Sequence, residues 1–146
     1  MADGRKRGAL GVDHGTKRCG FAATDAGRLL VTPLFAAEGG DAGALDALAG
    51  LLEERDVGHV VVGYPLNMDG TKGGRAGQVD GFVDALRARF PEIVVVLQDE
   101  RLSTKEAEER LREAGHFGDA RKSRKDAWSA MVLLEDWIAA GEPEGL

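Results

Sequence analysis

The chain has one cysteine, Cys19, so it can form no internal disulfide and cannot build a thiolate metal site on its own. A reducing compartment, the cytoplasm, suits it. No stretch approaches the roughly 20 apolar residues that span a bilayer. The N-terminus MADGRKRGALGVD is basic without the apolar core of an export signal, so no membrane association is expected. The pattern G-x-x-x-x-G-K-[ST] is missing, which removes the P-loop route to nucleotide hydrolysis. No repeat, low-complexity tract or linker divides the 146 residues, and a single domain over residues 1–146 is expected.

An excess of positive charge is lacking too. Nineteen Lys and Arg face 25 Asp and Glu, for a net charge of −6, whereas phosphate binding ordinarily leaves a basic footprint. The distribution matters more than the total. Eleven of the 19 cations fall in four short stretches, namely Arg5 to Arg7, Lys17 with Arg18, Lys72 with Arg75, and Arg121 to Lys125 around Ser123. An acidic protein with such local patches can bind a polyanion in a salt-sensitive way. Each run taken alone is equally well read as a solvated loop.

What is present is a clear order of elements. Residues 8 to 13 (GALGVD), 19 to 24 (CGFAAT) and Leu29 to Phe35 read as three strands, joined by connections too short for a parallel crossover, hence an antiparallel meander. Leu45, Leu48 and Leu52 then fall at helical spacing, from about Asp41 to near Gly58. The apolar run HVVVGYP suits a strand covered on both faces. A second helix carries Val79, Phe82, Val83, Leu86 and Phe90 and is closed by Pro91. Ile93 to Leu97 is the next buried strand. Ser103 and Glu106 form an S-x-x-E box that opens a helix with Ala107, Leu111 and Ala114 inward, ending at Gly115. After a polar, basic loop, the last helix aligns Ala127, Met131, Leu134 and Ile138, with Ala130, Leu133 and Trp137 beside them. The order βββαβαβαα predicts an α/β fold with a mixed five-stranded sheet and helices on both faces, which is the order of an RNase H-like domain.

Three acids stand at positions that a site would use. Asp13 ends the first strand, where it could equally cap the turn. A wholly apolar strand delivers Asp99 and Glu100 at its C-terminal end, where ligands of open α/β sheets tend to sit. Pairing of Glu100 with Arg101, or capping of the next helix, is the plainer alternative. Asp126, at the expected start of the last helix, lies on the same side as Ala130, Leu133 and Trp137; a first-turn acid serving the helix dipole would also fit there. Carboxylates without a Cys or His cluster are hard oxygen ligands suited to Mg²⁺ or Mn²⁺. Two such ions about 4 Å apart can activate water and stabilise the leaving oxygen of a phosphodiester without a protein base.

The segments GVDHGTKRCGFAATD, VVGYPLNMDGT, LQDERLSTKEAE and KDAWSAMVLLEDWI resemble, in order, the motifs of the YqgF family, RuvC-like resolvases also called pre-16S rRNA nucleases. The resemblance covers about residues 8–140. It implies a metal-dependent nuclease acting on pre-16S rRNA or branched DNA, with Asp13, Glu100 and Asp126 as metal ligands and catalytic acids. It also implies that Lys17, Arg18 and Arg101 meet phosphate; the basic run Arg121, Lys122, Arg124 and Lys125 joins them as a proposed phosphate clamp because it directly precedes Asp126. Asn67, Asp69 and Thr71 belong to a loop motif of unassigned role. The chain departs from the family at His14, commonly apolar or aromatic there, and at Cys19, commonly a branched aliphatic. Compared with RuvC itself, the strand before Tyr64 ends without a glutamate, and Glu100 on the following strand must supply that acid.

Two other classes compete. DHGTKRCG also resembles the phosphate-binding turn of sugar kinases and Hsp70-type ATPases, but those need a second domain that 146 residues cannot provide. A non-catalytic module of the same fold, binding RNA or a nucleotide, is separated from a nuclease by a cleavage assay with Mn²⁺.

Overall fold

The computed structural model describes residues 7–100, 103–115 and 118–144, and at 103–105, 108, 111 and 118–123 it describes the backbone without the side chain. Three strands come first, β1 (Gly8–Asp13), β2 (Arg18–Thr24) and β3 (Val31–Glu38). They are followed by α1 (Gly40–Glu54), β4 (Val57–Tyr64), α2 (Gly74–Arg89), β5 (Val94–Asp99), α3 (Ser103–Glu113) and α4 (Gly118–Ala139). The sheet order is β3-β2-β1-β4-β5. β2 is antiparallel to both β1 and β3, while β4 runs parallel to β1 and β5. This is the mixed RNase H-like sheet that the element order predicts.

Alternation along the strands separates two cores. Leu10, Val12, Phe21, Val60 and Val62 point to one face, where α1 and α2 bring Leu45, Leu48, Val79, Phe82 and Leu86. Ala9, Ala22, Val61 and Val96 point to the other, against Ala130, Met131, Leu134 and Trp137 of α4. β4 contributes to both, which is why its sequence is a continuous apolar run. α3 packs on α4. Among the described residues no helix is long and apolar enough to cross a membrane.

Several boundaries differ from the sequence reading. β3 starts at Val31 rather than Leu29, because the Asp25 carboxylate accepts the backbone N–H groups of Gly27, Leu29 and Leu30 and holds them in the turn. Leu29 is left 91% exposed. α1 stops at Glu54, and Gly58 lies inside β4. Ala114 is exposed rather than inward, and the side chains of Ser103 and Leu111 lie outside the described residues. The largest correction concerns α4, which begins at Gly118. The basic run 121–125 is therefore helical, and Asp126 lies well inside the helix instead of at its start. Lys and Arg are good helix formers, and only the apolar pattern that marks a buried stripe is missing from that turn.

Candidate active site

The parallel strands β1, β4 and β5 end at one edge of the sheet. Asp13 is the last residue of β1 and stands opposite Gly20 of β2. By alternation it shares a face with Ala9, so its side chain is drawn in beneath α4 rather than standing clear of the edge. Glu100 directly follows β5. Its backbone N–H donates to the Tyr64 carbonyl at 3.2 Å, and its carboxyl lies over Gly63. A Cβ at position 63 would come within 2.4 Å of Glu100 Oε2, so glycine there opens the space that Glu100 occupies.

The Asp13 and Glu100 carboxyl groups lie close enough for each to bear on the titration of the other. Burial pushes Asp13 well above its ordinary value of 3.8. The charge of Glu100, the hydrogen bond to it and the charge of Asp126 push the same way, while Lys125 opposes them. Burial raises Glu100 as well, against the hydrogen bond from Asp13 and the positive charge of Arg75.

Asp126 arrives from the other layer. Its main chain rests on Gly20, where a Cβ would stand only 1.9 Å from the Asp126 carbonyl oxygen. Its side chain is 15% exposed and accepts a hydrogen bond from Arg18 Nε. Among the described residues, no group of three or more His, Cys, Asp or Glu side chains closes to metal-holding distance. The arrangement is a buried carboxyl pair with a third acid beside it, engaged by an arginine. All-oxygen, acidic and desolvated donors of this kind suit a hard divalent cation.

Of the basic residues singled out in the sequence, Lys17, Arg18 and Arg124 are exposed, and Lys125 is half-buried with its charge acting on Asp13. Arg101 lies outside the described residues, as do the side chains of Arg121 and Lys122, whose backbone is in α4. The loop with Asn67, Asp69 and Thr71 closes on itself. Asn67 Nδ2 donates to Thr71 Oγ1 at 2.9 Å, and Thr71 Oγ1 donates to Asp69 Oδ1 at 2.6 Å.

Sequence reasoning missed Arg75 as a member of the site and left His14 without a partner. Arg75 donates to the His14 carbonyl at 2.7 Å and reaches His14 Nδ1 at 3.1 Å. The basic pair Lys72 and Arg75 was visible in the sequence, but its contact with residue 14 spans 61 positions.

Fold and edge together define an RNase H-like domain whose acids gather where the parallel strands end. Among solved structures, Thermus thermophilus RuvC in complex with Holliday junction substrate matches with a TM-score of 0.59, covering 93% of this chain and 97% of that chain at 13% identity, a likeness of fold alone. Residues 7–140 match the RuvX family, described as Holliday junction resolvase, and the chain belongs to that family. A relative from Anaeromyxobacter sp. (strain Fw109-5) is 42% identical over 130 residues, 88% of this chain and 94% of the relative. One from Maridesulfovibrio salexigens is 36% identical over 131 residues, 89% and 96% of the two chains. Both carry the name "Putative pre-16S rRNA nuclease".

Proposed function

We propose that this chain is a divalent-cation-dependent endonuclease of the cytoplasm that cuts nucleic-acid phosphodiesters, its substrate the 5′ end of pre-16S rRNA. The observation that carries this reading is the buried Asp13–Glu100 pair at the edge where the parallel strands end. Burying two carboxyls is costly unless something compensates their charge, and Mg²⁺ or Mn²⁺ would do so in the working protein. Asp13 and Glu100 would hold the cations, with Asp126 as the third donor once its carboxylate turns from Arg18. When bound, two such cations supply Lewis acidity toward the phosphodiester and its attacking water. Lys17, Arg18, Arg101, Arg121, Lys122, Arg124 and Lys125 would bind the backbone of the substrate, positioning it without reading its sequence.

Branched DNA is the second reading, favoured by the description of the family that the chain matches. The test sets precursor 16S rRNA, linear single-stranded RNA and a four-way DNA junction side by side with Mn²⁺, Mg²⁺ or EDTA. Precursor cleavage is expected with either metal and is lost in EDTA. Asp13→Asn, Glu100→Gln and Asp126→Asn should abolish turnover while retaining binding in a gel shift. Preferential cutting of the junction would move the assignment to DNA, and full activity in EDTA would overturn the metal reading.

A further inference from the structure

His14 follows Asp13 directly, yet its ring turns to the opposite face of the sheet, where it is 5% exposed and packs on Phe82 of α2 with ring centroids 4.8 Å apart. Both ring nitrogens are engaged. Nε2 lies 2.7 Å from Asp41 Oδ1 in the first turn of α1, and Nδ1 lies 3.1 Å from the Arg75 guanidinium in the first turn of α2. An arginine only donates, so Nδ1 accepts and Nε2 donates to Asp41. The same guanidinium nitrogen also donates to the His14 carbonyl at 2.7 Å. A second nitrogen of Arg75 donates to Gln78 Oε1, which fixes the guanidinium from its own helix. The residue carrying Asp13 is thus tied, one position on, to two helices through one buried imidazole. The charge of Arg75 also bears on Glu100.

We propose that Arg75, acting through His14, is a positioning residue that fixes the Asp13 carboxyl against Glu100 for cation binding. The inference rests on the reading of Asp13 and Glu100 as cation ligands. It makes a prediction of sign. As a bare charge, Arg75 repels a cation, so its removal would tighten metal binding; as a positioning group, its removal weakens it.

The test measures Mn²⁺ affinity by calorimetric titration of the full chain, with kcat and KM on a nucleic-acid substrate and a melting curve for each variant. Arg75→Met should bind Mn²⁺ about tenfold more weakly, the usual scale for losing a group that orients a ligand, and kcat should fall with KM unchanged. His14→Phe keeps a ring on Phe82 and the carbonyl bond to Arg75, so it should weaken Mn²⁺ binding in the same direction by less. The double variant should be no weaker than Arg75→Met alone, because both act through one contact. Arg75→Met binding Mn²⁺ as tightly as wild type, or more tightly, would overturn the proposal, as would effects of the two changes that simply multiply. Should Arg75→Met not fold, His14→Phe decides alone, and unchanged Mn²⁺ affinity in it sinks the proposal. Asp13→Asn separates this inference from its premise: if that variant binds Mn²⁺ as wild type does, the carboxylate site itself is misassigned, whatever Arg75 does.

Discussion

Asp13 ends a strand, where aspartate ordinarily caps a turn, and instead sends its carboxyl inward to Glu100. Motif spacing named both acids, because each sits at the end of an apolar strand that is itself legible. It did not name Gly63 or Arg75, because what they do depends on packing between segments far apart in the chain. A glycine after a valine run reads as a strand residue; that Glu100 would fill the space above it is visible only once β4 and β5 pair. Cys19 shows the same dependence on surroundings. It is fully buried, its Sγ lies 3.8 Å from the Gly15 carbonyl, and burial pushes the thiol up to about 11. The thiolate is the nucleophile, so a disulfide reagent such as DTNB should leave the folded protein unlabelled at neutral pH and label it fully in denaturant. Rapid labelling of the native protein would show that the β1–β2 turn opens.

At the level of elements, the periodic helices and the strands β4 and β5 were readable within a few residues, since alternation and helical spacing follow directly from which faces are buried, although β5, read as buried, is an edge strand in which only Val95 and Val96 are buried and Val94 is 49% exposed. The start of α4 was not. Its first turns carry Lys and Arg without an apolar stripe, so periodicity had nothing to register there, and a helical segment read as a basic loop. What seats α4 is the close approach at Gly20. A Cβ there would meet the Asp126 carbonyl at 1.9 Å, so Gly20→Ala must push the helix off the sheet just where Asp126 is delivered. We expect a loss of about 1–3 kcal/mol from this overpacking, with nuclease activity falling alongside the melting temperature. Gly50→Ala is the control. It lies in α1 with nothing within 4 Å of its Cβ, and replacing a mid-helix glycine should stabilise by roughly 0.5–1 kcal/mol. Equal melting temperatures for the two variants would mean that α4 is not held by that contact.

For the molecule as a whole, the carboxyl pair ties stability to pH, and under the proposed function to cations as well. In EDTA, burial holds the folded-state values of Asp13 and Glu100 above the ordinary values of 3.8 and 4.5 near which the unfolded chain releases its protons. Between those values and the raised folded-state values the native protein binds more protons than the unfolded chain, so the stability contributed by the pair is full at lower pH and is lost as pH rises through the folded-state pKa. Asp13→Asn removes that loss. The variant, melted in EDTA, should gain on wild type as pH rises and should match or exceed it at neutral pH. If the pair holds a cation as proposed, Mn²⁺ should reverse the trend for wild type, because the cation would compete with the proton for the same oxygens and bind only the native state. The rise in melting temperature on adding Mn²⁺ should therefore grow with pH in wild type and stay small in Asp13→Asn. An aspartate serving as a turn cap gives the opposite result: its amide variant melts lower than wild type at neutral pH and responds to Mn²⁺ just as wild type does. Melting curves with Mn²⁺ or EDTA, taken from acid to neutral pH, decide between these two roles for Asp13 without any assay of cleavage.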